Sequence, residues 1–256
     1  MHVPAALPCV RATCYVTALR EGGSLPGLVE ASDDGMYVVK FRGSGQGENA
    51  LVAEVVAGEL ARRLGLLVPD LAVIQIPVEM GRAEPDPDIQ ELLDASAGPN
   101  LGMDFLPGAL PFTLPLEGTV DPELAADVVW FDTLVTNVDR THRNPNLLVW
   151  HGRTWLIDHG AAFFRLHGER LLSDTAREPV PVLADHVLLR SAGSIAEADE
   201  RLAARALAAI DASVALVPAV WLGPEPEARR QDIADFLRIR LESPRVFVAE
   251  AERARA

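Results

Sequence analysis

Polar and apolar positions alternate in short runs over the first forty residues. Cys14 to Leu19 (C-Y-V-T-A-L), Leu28 to Ala31 and Met36 to Phe41 each have strand character, separated by glycine- and aspartate-containing breaks. They predict a three-stranded meander, with Gly22-Gly23-Ser24-Leu25-Pro26-Gly27 as its first connection and an Asp33-Asp34-Gly35 hairpin turn as its second. The period then changes. Val52, Val56, Leu60 and Leu64 recur every fourth residue, so Glu48 to Leu64 reads as a helix with a buried stripe, stopped by Gly65. Leu71 to Ile76 is another strand. Residues 81–99, rich in Pro, Asp and Glu around a short helical piece from Ile89 to Ala95, read as an acidic surface insertion, and Asn100 to Leu106 as an extended segment ending at the Pro107-Gly108 turn.

After that turn the pattern is mainly helical, and a domain boundary is expected there: residues 1–107 as one lobe and 108–256 as a second. Asp121-Pro122 is an N-cap followed by proline at the first helical position, opening a helix to about Val135. Ser194 to Val217, Pro224 to Leu241 and Pro244 to Ala256 are further helices. One stretch breaks the helical pattern. Leu147 to Trp150 and Thr154 to Ile157, joined by His151-Gly152-Arg153, predict a β-hairpin between two polar segments. With its turn centred near Gly152, Asn146 would lie opposite Asp158, bringing Asn144, Asn146 and Asp158 together at the open end. Amide and carboxylate oxygens gathered in this way suit a hard cation such as Mg²⁺.

Composition narrows the function classes. A 49% apolar chain with 23% charged residues can build a sizeable core. The net charge of −14, from 37 acidic and 23 basic side chains, argues against binding nucleic acid over a broad surface. Two cysteines, Cys9 and Cys14, form neither a disulfide framework nor a zinc site. Met1 to Val10 has no basic leader, and no apolar run approaches the ~20 residues of a membrane helix. A cytoplasmic protein without a membrane partner is the expectation.

Two charged residues in the first lobe need partners. Lys40 shares a strand face with Met36 and Val38, where it requires an anionic partner unless that face is the wet side of an edge strand. Among three helix glutamates, Glu59 is matched to Arg62 and Arg63 one turn on, and Glu48 sits at the helix start. Glu54 is flanked by Ala50, Ala57, Gly58 and Ala61, a face that a sheet could approach closely. Glu54 is therefore the candidate to meet Lys40, with an ordinary surface glutamate as the alternative. Backbone amides of Gly22, Gly23 and Ser24 could approach phosphates, although glycines in a loop also serve simply as turn residues.

In chain order these features are a strand lysine, a helix glutamate, an extended hinge, a helix, a loop with Asp139 five residues before Asn144, a hairpin and Asp158. The series resembles the protein-kinase-like fold over roughly residues 14 to 165. The D-R-x-x-x-N loop and I-D-H-G look like the phosphatidylinositol 3- and 4-kinases and the bacterial HipA-like kinases. The runs L-V-E-A-S-D-D-G-M-Y-V-V-K-F and F-L-P-G-A-L are most similar to short bacterial HipA-like proteins. The resemblance implies an α+β, two-lobed protein-kinase-like fold, with an antiparallel-sheet N-lobe carrying one helix and a mainly helical C-lobe. It implies an ATP- and Mg²⁺-dependent kinase in which Asp139 accepts or orients the proton of an attacking hydroxyl, and Asn144 and Asp158 hold Mg²⁺. Lys40 and Glu54 would fix the phosphates. Gly22, Gly23, Ser24 and the hinge residues Phe105 and Leu106 would border the nucleotide, Arg140 would make a structural salt bridge, with orienting the loop backbone or reaching a phosphate as the alternatives, and Asn146 would shape the loop.

HipA-type toxin kinases are longer and carry a further N-terminal domain, so toxin activity is not implied. No A-P-E-like sequence follows Gly160, which leaves the acceptor open between a protein Ser/Thr and a small hydroxyl compound. A nucleotide-sensing module that has lost transfer is a second reading, motivated by the sparse glycine loop. Lipid kinase activity is a third, resting on the D-R-x-x-x-N likeness alone and opposed by the acidic composition.

Overall fold

A computed structural model describes residues 6–19, 25–45, 47–168 and 170–255. The fold is mixed α+β, in two compact units. One comprises Met1–Val52 and Pro69–Pro107; the other comprises Ala53–Val68 and Gly108–Ala256. No helix among the described residues is long and apolar enough to cross a membrane.

The first unit is built on β1 (Cys9–Ala18), β2 (Gly27–Ala31), β3 (Met36–Lys40), β4 (Leu71–Ile76) and β5 (Gly98–Asp104). The predicted meander is present, with β1 longer at its N-terminal end than expected. The expected antiparallel sheet requires correction, because the five strands close into a barrel in the order β1-β2-β3-β5-β4. The closing pair is parallel, with Cys9 beside Val73 and Arg11 beside Gln75. Strand alternation explains how the barrel is filled. Ala12, Val29, Val39, Phe41, Ala72, Ile74 and Ile76 form one buried cluster. Lys40, one residue after Val39, belongs to the opposite face of β3 and is half-buried. Because β3 is hydrogen-bonded to β2 on one side and β5 on the other, it is not an edge strand.

Residues 81–99 are not the surface insertion their composition suggested. Helix α2 (Pro87–Ala95; α1 precedes it at Gly47–Leu64) places Ile89 and Leu93 in the barrel's apolar cluster, while its acidic residues face outward. Proline and acidic residues mark the helix N-terminus, with Asp86 capping the Asp88 N–H at 3.0 Å and Pro87 opening the helix.

Helix α1 follows the predicted stripe, with Val52, Val56, Leu60 and Leu64 all buried. It ends at Gly65 (φ +91°) in a Schellman cap: the Gly65 N–H donates to Arg62 O and the Leu66 N–H to Ala61 O, each at 3.0 Å. Glu59 pairs with Arg62 at 3.5 Å along the helix.

The second unit holds the helices α3 (Pro122–Leu134), α4 (Ile195–Val214), α5 (Pro226–Leu241) and α6 (Val246–Arg255). Its small sheet consists of β6 (Leu110–Pro111), β7 (Leu147–Trp150) and β8 (Arg153–Leu156). Asp121 caps α3 as expected, accepting from the Glu123 and Leu124 N–H groups at 2.9 and 3.2 Å. The hairpin is one residue tighter than predicted. Trp150 pairs with Arg153 across a two-residue turn in which His151 and Gly152 have φ of 48° and 71°, the left-handed pair of a type I′ turn. The shift in register puts Asn146 opposite Ile157, whose N–H donates to Asn146 O at 3.1 Å, rather than opposite Asp158.

Candidate active site

The site is built outward from a charge inside α3. Beyond its first two turns that helix is buried all round, with Val128, Val129, Trp130, Phe131 and Leu134 buried, and Asp132 is buried among them at 1% exposure. A carboxylate there needs compensation. Arg140 Nε donates to Asp132 Oδ2 at 2.6 Å, and His186 Nε2 lies 2.9 Å from the same oxygen. Asn137 Nδ2 donates to Asp132 Oδ1 at 3.0 Å. Burial alone would raise the pKa of Asp132, but the Arg140 charge and the His186 hydrogen bond hold it well below the ordinary carboxylate range.

From this anchor the chain turns back, with Thr136 in the left-handed region (φ 51°), and Asn137 takes up the slack. The Asn137 N–H donates to Asp132 O at 2.8 Å, while its Oδ1 accepts the Asp139 N–H at 3.1 Å. Arg140 is buried and performs the structural role expected of it. Its Nη1 donates to Asn146 O and, at 3.3 Å, to Ile157 O, tying the loop to both strands of the hairpin at its open end. Asn146 itself adopts φ 49°, in keeping with a loop-shaping role.

Asp139 is thereby presented beside Asn144, whose Nδ2 donates to Asp139 Oδ2 at 2.7 Å; Asn146 Nδ2 makes a longer contact with the same oxygen at 3.4 Å. Partial burial pushes the Asp139 pKa up. The Asn146 hydrogen bond opposes this, the negative charge of Asp158 adds to it, and Asn144 and Arg140 again oppose it; the net shift is upward. Two carboxylates thus share one field, with an amide between them in sequence.

That donor set fits a hard cation. With Nδ2 of Asn144 turned to Asp139, its oxygen is on the other branch of the amide, and a divalent ion near Asp158 would offset the repulsion felt by Asp139. Among the described residues no group of three His, Cys, Asp or Glu side chains could hold a metal by itself. An ion here would be held by Asn144 and Asp158, with water completing its shell.

Asp158 has φ 55°, and the next residue, His159, is completely buried. His159 Nδ1 is 3.3 Å from Glu54 Oε1, also completely buried, and its ring stands edge-on to Phe131 at 6.1 Å. Glu54 is thus linked to the residue that follows Asp158. Nε2 of His159 has no hydrogen-bond partner among the described residues, and Nδ1 makes the ring's contact with Glu54. His142, on the loop, contacts Asp185 O through Nδ1 at 3.0 Å.

The structure therefore brings Asp139, Asn144, Asn146 and Asp158 together and joins Glu54 to them through His159. Lys40 lies on β3, Phe105 follows β5 with its N–H donating to Met36 O at 2.9 Å, and Leu106 is buried. Gly22, Gly23 and Ser24 lie outside the described residues. Sequence reasoning did not find Asp132, Asn137 or His186. A signal existed for Asp132, which follows four apolar residues in the run A-A-D-V-V-W-F-D-T-L-V, whose other polar members are Asp127 and Thr133.

No curated protein sequence matches the chain. Among solved structures, the chain is similar to the Helicobacter pylori proinflammatory kinase CtkA, with a TM-score of 0.60, 14% identity, and coverage of 95% of this chain and 99% of that one. The FAT and kinase domain of CtTel1 aligns with a TM-score of 0.33 and 12% identity over 90% of this chain and 21% of its own. At these identities the CtkA likeness speaks for a kinase-like fold alone. The family is shown by a sequence model for HipA-like kinases that matches residues 15–245, and on that match the chain belongs to the HipA-like kinase family.

Proposed function

We propose that this protein is an ATP- and Mg²⁺-dependent phosphotransferase that moves the γ-phosphoryl group to the hydroxyl of a protein Ser/Thr or a small molecule. The observation that carries this reading is the Asp139 carboxylate held 2.7 Å from the Asn144 amide and electrostatically coupled to Asp158. Phosphoryl transfer depends chiefly on positioning and on neutralising phosphate oxygens. In this reading Asp139 orients the acceptor hydroxyl and takes its proton as the new O–P bond forms and the bond between the γ-phosphorus and the β,γ-bridging oxygen breaks, with ADP as the leaving group. The upward shift of its pKa favours that acceptance. Asn144 and Asp158 would hold Mg²⁺, which supplies charge neutralisation at the phosphates. Lys40 would contact the phosphates, Glu54 would support that end of the site, and Gly22, Gly23, Ser24, Phe105 and Leu106 would border the nucleotide.

The test is incubation with γ-labelled ATP, Mg²⁺ and fractionated extract, using Asp139→Asn as the control. Transfer should fall by at least ~10²-fold in the variant, with ATP binding, followed by thermal stabilisation, nearly unchanged. Transfer at the wild-type rate by Asp139→Asn would refute the role assigned to that residue.

A further inference from the structure

The segment around His186 lies well beyond the hairpin and has no part in the reading above, yet it grips the Asp139 loop twice. Its backbone forms an antiparallel bridge between His186 and Thr141: the Val187 N–H donates to Arg140 O at 3.1 Å and the His142 N–H to Asp185 O at 3.3 Å. Its side chain reaches Asp132. The Leu188 N–H donates to His186 Nδ1 at 3.2 Å, so that nitrogen presents its lone pair and the ring proton is on Nε2, directed at Asp132 Oδ2. From there a continuous chain of hydrogen bonds leads to the site. Asp132 Oδ1 accepts from Asn137 Nδ2, and Asn137 Oδ1 accepts from the Asp139 N–H. The His186–Asp132 and Asp132–Asn137 bonds are buried and shielded from competing water, and the Asn137–Asp139 bond is partly buried.

We propose that His186 is a positioning residue for Asp139: as a fixed Nε2–H donor it orients Asp132, which through Asn137 and Arg140 sets the backbone that carries the Asp139 carboxylate. The catalytic half of this proposal rests on the phosphotransfer reading. The geometric half does not. The effect of His186 travels through one polar network, by way of Asp132 and Asn137 to the Asp139 N–H. Val182, which precedes this segment, adopts φ 55°, unfavourable for a β-branched residue, so the approach of the segment is maintained against local backbone preference.

Two substitutions separate the two bonds of the ring. A glutamine amide nitrogen reaches the position of Nε2, so His186→Gln keeps a donor for Asp132 and gives up the acceptor for Leu188. An asparagine oxygen takes the position of Nδ1, so His186→Asn keeps the Leu188 bond and gives up the donor. With both variants folded by circular dichroism, His186→Asn should lose hydrogen-exchange protection at the Asp139 amide. It should also lower kcat for transfer from γ-labelled ATP by on the order of 10²-fold, with KM for ATP unchanged. His186→Gln should retain the protection and stay within a few-fold of the wild-type kcat. Nitrogen-15 spectra of histidine-labelled wild type should show the Nε2–H tautomer. Wild-type exchange in His186→Asn, equal losses in both variants, or an Nδ1–H tautomer would overturn the proposal. A wild type that transfers no label would refute the phosphotransfer reading and the catalytic half with it, while the exchange and nitrogen spectra would still decide the geometric half.

Discussion

Arg140 offers the sharpest energetic test, because a single buried cation compensates one buried carboxylate and two backbone carbonyls. Its side chain is fully enclosed, and Asp132, 2.6 Å away, is almost so. Arg140→Met keeps much of the volume but strips Asp132 of its counter-charge, and breaking a buried pair from one side costs about 3–5 kcal/mol. Asn146 O and Ile157 O lose their guanidinium donor in the same step. Asp132→Asn acts from the other side, leaving the guanidinium enclosed without a counter-ion, at a similar cost of about 3–5 kcal/mol. The double variant has no buried charge to strand, so the two effects should not add; it should be more stable than their sum predicts by roughly 2–3 kcal/mol. The assay is urea unfolding at pH 7. All four tryptophans, Trp130, Trp150, Trp155 and Trp221, are in the Ala53–Val68 and Gly108–Ala256 unit, so their fluorescence follows that unit. With a slope of about 3 kcal/mol/M, each single variant should lower the midpoint by roughly 1 M or more. The linkage sign supports the choice of pH. The native pKa of Asp132 is depressed, so its contribution is present above the ordinary aspartate range and is lost only as pH falls through the lower native value. Additivity within about 0.5 kcal/mol would show that Arg140 and Asp132 do not act as a compensating pair.

Two further outcomes are expected. Mg²⁺ without nucleotide should lower the raised pKa of Asp139, read from its carboxyl carbon-13 shift, since a cation near Asp158 offsets the repulsion; an unchanged midpoint would count against a metal at this position. For the same group the stability sign is opposite to that of Asp132, because a raised native pKa makes ionised Asp139 a cost at neutral pH that is relieved on acidification. In the barrel, a Cβ added at Gly102 would be 2.5 Å from Ile74 Cγ1 and 2.8 Å from its Cδ1, so Gly102→Ala should cost about 1–3 kcal/mol and lower Tm, with Ile74→Ala restoring part of the loss. A Gly102→Ala protein as stable as wild type would mean that the barrel is looser there than the contacts indicate.

Local chemistry carried most of the fold's legibility. The α1 stripe and its glycine stop, the Asp121-Pro122 start of α3 and the hairpin each depend on residues within a few positions of one another. Barrel closure does not. The parallel pairing of β1 with β4 joins Cys9 to Val73, and both strands are apolar runs that fit an open or a closed sheet equally well. Residues 81–99 misled for a related reason, because composition records what a helix presents to water. Ile89 and Leu93, two apolar residues four apart, are enough to seat α2 on the barrel.

The site divides along the same line. Asp139, Asn144 and Asp158 were legible because the loop and hairpin that gather them span twenty residues, and a one-residue error in the turn moved only the partner of Asn146. What orients them is remote. His186 is 54 positions from Asp132 and Glu54 is 105 from His159, and a lone histidine or glutamate at such a distance carries no local spacing to reveal its partner. Desolvation supplies the missing constraint. Asp132 sits in the part of α3, Val128 to Leu134, where every residue is buried, so it had to be compensated, and its one residual freedom was which cation and which donors would do so. Arg140 is the cation the nearby sequence offers, but that pairing leaves lone pairs on the carboxylate, and Asn137 and His186 fill them. A buried charge read from hydrophobic pattern alone thus predicts that a polar network exists around it. The identity of the distant members follows from the tertiary fold, which is why the orienting layer of this site becomes visible only once the segment carrying His186 is seen against the loop.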